Sequence, residues 1–181
     1  MTIGRHHISQ CKDWGTPLHY IEAVRKVFRC NISLDPCSNK YSLVDADTEY
    51  MLPEVDGLHA SWDFDTIYVN PPYGIDKIRG TRIKDWFRKC VETQLEYATE
   101  TIALVPVATN TSHWKEYVFG RATAVCFLSD TRLKFLVDGE EGGKGAPMAC
   151  AMVYWGIFYH DFHEVFNKFG AVVDLRSMKE D

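Results

Sequence analysis

The sequence has no Cys-x-x-Cys pair, no internal repeat, no linker-like stretch and no apolar run long enough to span a bilayer. Its six cysteines (Cys11, Cys30, Cys37, Cys90, Cys126 and Cys150) are scattered, several within apolar segments, and read as buried free thiols rather than metal ligands. His6-His7 reads as part of a terminal tail, so no metal is expected. The longest apolar runs, such as Ala149 to Tyr159, are interrupted or short, and Met1 to His7 holds no apolar signal core. The expectation is a cytoplasmic protein without a membrane partner. A basic excess is also missing: the formal net charge is −5, so any contact with a polyanion must come from a local patch. What the chain does have is 46% hydrophobic residues in 181, enough for one core and a single domain spanning 1–181.

Thr16-Pro17 reads as a helix start, with Thr16 as cap and Pro17 in the first helical position, and Leu18, Ile21, Val24 and Phe28 keep helical spacing up to Cys30. Ile32-Ser33-Leu34 is a short buried strand stopped by Asp35-Pro36. Ser38 to Ala60 is predicted as loop with one short helix or turn around Asp45 to Met51. Phe64 to Val69 is a strand cut off by Asn70 and two prolines, which cannot donate to a sheet ladder. A helix carrying Ile83, Trp86, Phe87, Cys90, Val91 and Leu95 follows, then a strand from Ile102 to Pro106 and a short helix from Ser112 to Phe119. Ala122 to Leu128, Arg132 to Val137 and Met148 to Ile157 are predicted strands, with Asp138 to Ala146 as a glycine-rich loop. A helix over Asp161 to Phe169 and a strand over Val172 to Leu175 complete the chain. The alternation implies an open α/β sheet, mostly parallel with an antiparallel edge and helices on both faces. In such sheets ligands lie outside the carboxyl ends of the strands, where Asp35-Pro36 and Asn70-Pro71-Pro72-Tyr73 both fall.

The four residues Asn70, Pro71, Pro72 and Tyr73 suit one difficult reaction. The lone pair of an aromatic amine is delocalised into its ring, so methylating it requires acceptors that draw on the N–H protons. Asn70 supplies one acceptor and the Pro71 carbonyl a second, held in direction by two locked φ angles. Tyr73 offers a flat face for a planar base taken out of a duplex. The bland alternative is a strand-ending turn, since Asn-Pro commonly starts one.

With Asp13 to Pro17, Leu34 to Cys37, Asp56 to Leu58, Val69 to Gly74, Leu104 to Pro106, Arg132 to Phe135 and Ala146-Pro147, the chain resembles the phage-type Dam-like DNA adenine-N6 methyltransferase family. The resemblance implies a Rossmann-like methyltransferase fold, S-adenosylmethionine as donor, no metal, and adenine in double-stranded DNA as substrate, with a monomer or weak dimer in the cytoplasm, the host's if the gene is phage-borne. It also implies that Trp14, Thr16 and Pro17 lie near the donor's methionine part and that Asp35, Pro36 and Cys37 form the end of the first strand. Asp56, Gly57 and Leu58 would meet the donor's adenine, and Asn70 would serve donor and target alike. Asp35 reads equally well as a turn residue, and Asp56-Gly57 also as a plain turn dipeptide. The glycine-rich turn that many methyltransferases carry after the first strand is replaced here by Ser38-Asn39.

Lys77, Arg79, Arg82 and Lys84, with Arg88 and Lys89 beyond them, form the basic stretch that the net charge lacks, and are expected to meet phosphates. Arg132 and Lys134 are expected to do the same from a strand with one wet face. Ile75 to Thr81 reads as an insertion, and His113-Trp114 as either a pocket wall or a packed Trp beside a surface His. Two other readings stand beside the DNA enzyme. One is a protein glutamine or RNA-base N-methyltransferase, and the other is an inactive DNA-binding anti-restriction module.

Overall fold

Strands that are buried along nearly their whole length need cover on both faces, and this chain places three of them side by side. A computed structural model describes residues 14–130, 133–141, 146 and 148–178. In chain order its elements are β1 (Trp14–Gly15), α1 (Leu18–Phe28), β2 (Leu34–Asp35), β3 (Thr48–Glu49), β4 (Thr66–Val69), α2 (Ile83–Tyr97) and β5 (Glu100–Pro106). They are followed by α3 (Ser112–Trp114), which continues as a π-helical turn over Lys115–Phe119, then β6 (Ala124–Leu128), β7 (Leu136–Val137), β8 (Glu140–Glu141), β9 (Cys150–Trp155), α4 (Tyr159–Phe166) and β10 (Gly170–Asp174). The main sheet runs β10-β6-β9-β5-β4-β2-β3, and β1, β7 and β8 form a small second sheet.

Alternation along the central strands divides the core in two. Tyr68, Ile102, Leu104, Met152 and Tyr154 pack with Tyr20, Ile21 and Val24 of α1 and Phe162 and Phe166 of α4. Ile67, Val69, Ala103, Val105, Ala151, Val153 and Trp155 pack on the other side against Trp86, Phe87, Cys90 and Val91 of α2, with Trp114 and Val118. The spacing of the α2 residues puts them on one face of a 3.6-residue helix. That helix stops at Ala98, whose φ of 56° ends the right-handed run while its N–H donates to the Gln94 carbonyl at 3.0 Å. Among the described residues no helix is long and apolar enough to cross a membrane.

Several expectations are corrected. Thr16 does not cap α1: Pro17 occupies the cap position, with ψ of 140°, and the Thr16 hydroxyl is paired with the buried Tyr68 hydroxyl at 2.7 Å. The segment predicted as a short helix or turn contains β3, which adds to the sheet edge beside β2. Of the strand predicted over Arg132 to Val137, among the described residues Leu136–Val137 are ladder-paired, and they belong to the small sheet. Antiparallel pairing is not confined to an edge: β5–β9, β9–β6 and β6–β10 are antiparallel, against parallel β3–β2, β2–β4 and β4–β5. All six β9 residues are buried, which an edge position could not achieve, so β9 sits between β5 and β6. His6, His7, Arg132 and Gly142 to Gly145 lie outside the described residues.

The order of the parallel strands sets a topological switch point at the end of β2. From β2 the chain moves outward to β3 and then crosses back to β4 on the opposite flank of β2. Connections that leave a strand in opposite directions open a crevice at its carboxyl end. Asp35 and Val69, the last residues of β2 and β4, stand at that crevice.

The Thr16–Tyr68 pair gives a test of the revised start of α1. Thr16→Val and Tyr68→Phe should each cost about 1–3 kcal/mol in urea unfolding, because each strands a buried hydroxyl, and the double variant should cost clearly less than their sum. Strictly additive losses would show that the two hydroxyls do not depend on each other.

Candidate active site

β4 stops where Pro71 and Pro72 remove two donors from the ladder, and the side chain of Asn70 is fixed as the chain leaves the sheet. Its Nδ2 donates to the Trp14 carbonyl of β1 at 2.8 Å. A carbonyl can only accept, so this bond assigns the two ends of the amide. Oδ1 makes no hydrogen bond to any described residue and is the end left for a ligand. Three rings gather around this corner. Trp14 and Phe135 stack at 5.0 Å, and Tyr73 meets both edge-on, at 6.4 and 5.9 Å. The Tyr73 hydroxyl donates to the Leu104 carbonyl at 3.1 Å, and burial raises its pKa well above the ordinary phenol value, so it stays neutral. With its polar end anchored in the sheet, the half-buried ring keeps one orientation.

Across the crevice, Asp35 is 3% exposed. Its carboxyl accepts from the Cys37 N–H at 2.9 Å and the Ser42 hydroxyl at 3.4 Å. Burial, reinforced by the charge of Glu49, outweighs those bonds and pushes its pKa up to about 7. Beside it the Ser38 hydroxyl is buried and lies against the same carboxyl, where it favours the charged form weakly. Burial and the nearby Asp35 also raise the Cys37 thiol, which rules out a ready thiolate nucleophile. Glu49 ends β3 in register with Asp35. Sequence patterning missed Glu49 because a two-residue strand carries no periodicity. In a doubly wound sheet an acid at the end of the second strand is placed to bind ribose hydroxyls.

The Asp56-Gly57-Leu58 turn closes on the same strand end. A Cβ on Gly57 would collide with the Pro36 carbonyl oxygen, so only glycine lets the two backbones touch there, and the Gly57 carbonyl accepts from Trp62 Nε1 at 2.7 Å. Asp56 accepts from Arg79 Nη1 and His59 Nδ1 at 3.0 Å and from the Leu58 N–H at 3.1 Å. Burial opposes its charge, but the bonds from His59 and Arg79 hold its carboxyl below the usual range. These use three of its roughly four acceptor directions.

The expected cations differ in how free they are. Arg79 is clamped between Asp56 at 3.0 Å and Asp76 at 2.9 Å, with 19% of its side chain exposed. Lys84 pairs with Glu116 at 2.8 Å. Lys77, Arg82 and Lys134 are exposed and have no ion pair among the described residues. Arg82 precedes α2, its N–H donating to Asp85 at 2.9 Å. Trp114 is fully buried and donates to the Pro106 carbonyl at 3.2 Å, while His113 packs against Phe87, so of the two readings the packed Trp holds. A separate cavity of about 670 Å³, lined by Pro17, Leu18, Leu43, Asp130, Lys134 and Glu140 among others, opens beside the start of α1. Its size suits a small molecule, but neither Asn70 nor Asp35 lines it. No group of three or more His, Cys, Asp or Glu among the described residues is placed to hold a metal.

The raised Asp35 pKa fixes the sign of a pH effect. In the unfolded chain Asp35 ionises near its ordinary value of about 3.9, while in the fold it stays protonated to about 7. Ionisation therefore favours the unfolded state increasingly from about pH 4 to pH 7, and the cost is constant above that. Asp35→Asn should gain stability relative to wild type across this window, by at most about 4 kcal/mol at pH 8. Urea unfolding of both proteins from pH 4 to pH 8 measures the difference, and parallel curves would show that Asp35 titrates normally.

A family model described as DNA N-6-adenine-methyltransferase (Dam) matches residues 5–181. No curated protein and no solved structure matches the chain.

Proposed function

The chain belongs to the DNA N-6-adenine-methyltransferase (Dam) family, and from that premise we propose that Asn70 holds the N6 amine of an adenine, turned out of duplex DNA, for methylation by S-adenosylmethionine. The observation that carries the reading is the 2.8 Å bond from Asn70 Nδ2 to Trp14, which leaves Oδ1 to accept from the target amine. In this reading the Pro71 carbonyl takes the second N–H, and the nitrogen lone pair is freed from the ring to face the methyl group. Tyr73 supports the base, held by Leu104, Trp14 and Phe135. Neither acceptor is a strong base, so they contribute orientation and electrostatic stabilisation, and the amine proton passes to solvent after displacement.

The residues across the crevice fit the donor. When bound, S-adenosylmethionine supplies an electrophilic methyl on a positively charged sulfur. Asp35 would answer its positive charge, the buried Ser38 hydroxyl beside it would add a polar contact, and Glu49 would take the ribose hydroxyls. The switch-point crevice supports a Rossmann-like reading of the sheet. Trp14, Thr16 and Pro17 would border the donor's methionine part. Asp56 has one acceptor direction left for the donor's adenine, with Gly57 and Leu58 beside it. Lys77, Arg82 and Lys134, together with Lys84 and Arg132, would meet phosphates, and one domain would do the whole reaction.

Transfer of labelled methyl from S-adenosylmethionine to DNA, RNA and protein tests the reading. Label should enter DNA as N6-methyladenine, and label confined to RNA or protein would overturn it. Asn70→Ala should lower kcat by at least about 100-fold, the scale of losing a preorganised polar group, while DNA binding by calorimetry stays within a few fold. Unchanged turnover would remove Asn70 from the reaction.

A further inference from the structure

Residues 75–81, directly after the Asn70 to Tyr73 corner, spend their polar groups on one another. Asp76 and Thr81 form an antiparallel bridge, with the Asp76 N–H donating to the Thr81 carbonyl at 2.9 Å. The Asp76 carboxylate accepts from the N–H groups of Ile78 at 2.9 Å and Arg79 at 3.1 Å, and from Arg79 Nε at 2.9 Å. Those Arg79 bonds hold the Asp76 carboxyl down at about 2, so the clamp stays charged at any ordinary pH. Gly80, with φ of 69°, closes the turn in the left-handed region. Arg79 also reaches Asp56, whose turn touches the end of β2 through Gly57 and Pro36, so the loop is tied to the rim of the crevice.

The tip of this bonded turn is apolar. Ile78 is 93% exposed and Ile75 60%. A β-branched side chain so exposed adds nothing to the core and is conformationally stiff. Lys77 beside it and Arg82 beyond it are exposed cations, while Asp76 is already neutralised by Arg79. An apolar residue flanked by free positive charge is complementary to stacked bases between phosphates, and not to an apolar protein face.

We infer that Ile78 is a wedge that enters the base stack of duplex DNA beside the target adenine. The inference rests on the adenine reading above and assigns to the 75–81 turn the work of opening the duplex. Unstacking a base step costs a few kcal/mol, and the wedge offsets part of that by burying an isoleucine that water otherwise surrounds. Arg79 is then a positioning residue: its charge is spent on Asp56 and Asp76, and it holds the tip in place.

The test compares wild type, Ile78→Ala and Ile78→Leu on plasmid DNA from methylation-deficient cells, presented as duplex or heat-denatured, with labelled S-adenosylmethionine. At 93% exposure neither substitution disturbs packing. The ratio of duplex to single-strand turnover should fall about tenfold or more in Ile78→Ala and stay within about threefold in Ile78→Leu, since a single strand has no stack to open. An unchanged ratio in Ile78→Ala overturns the wedge. A wild-type protein that methylates neither form overturns the adenine reading and the wedge with it. If wild type acts on duplex alone, ligating nicked plasmid with bound protein decides: Ile78→Ala should shift the linking number less than wild type, and equal shifts overturn the wedge.

Discussion

A primary amide has one donating end and one accepting end, and the 2.8 Å bond from Asn70 to the Trp14 carbonyl decides which end is left without a protein partner. The same bond ties the small sheet to the large one, because Trp14 belongs to β1, which pairs with β7. Trp14 stacks on Phe135, and both meet the edge of Tyr73. The direction of the amide, the seat of the small sheet and the pose of Tyr73 are therefore one constraint. Loss of any one contact loosens the others, which is the supporting shell that a site of this accuracy requires.

Charge is distributed along the rim by pairing rather than by total. Acids stand on the β2 and β3 side: Asp35, Glu49 and Asp56. Exposed cations, Lys77, Arg82 and Lys134, stand beyond the β4 corner and beside Phe135. On the proposed reading, a cationic donor and an anionic polymer make opposite electrostatic demands on one crevice, and this segregation would answer both with a net charge of −5. The protonated state of Asp35 adds a conditional charge. Without a cation nearby, burial keeps the carboxyl largely protonated below about pH 7, and a positive group at hydrogen-bond distance would favour its ionisation. Binding of a cation there would be coupled to release of a proton.

The end of β4 was legible because two prolines cannot continue a ladder, and α2 because Trp86, Phe87, Cys90 and Val91 repeat at helical spacing. β5 was readable from an unbroken apolar run. What sequence could not carry was long-range. Thr16 has the local chemistry of a cap, but a tertiary bond to Tyr68 claims its hydroxyl. β3 is too short to pattern, so Glu49 was overlooked. Nothing local places β9 between β5 and β6; only the need to bury both faces of six residues does. Arg79 read as a free cation among several, whereas its partners Asp56 and Asp76 lie 23 and 3 residues away.

That Arg79 clamp bears on the missing glycine-rich turn. A glycine turn behind the first strand serves where backbone must be approached closely. Here the close approach at Pro36 is made by Gly57, a residue of the chain itself, so the strand end is lined by a second stretch of protein. Gly57 stays there because Trp62 binds its carbonyl and Arg79 binds the adjacent Asp56. Arg79 in turn is held by Asp76, within the turn that presents Ile78. On the proposed reading, the donor side of the crevice and the DNA side thus share one ion-pair network. Asp56 cannot move without breaking one of the two ion pairs that hold Arg79, so occupancy of one side can bias the other through a charge already in place.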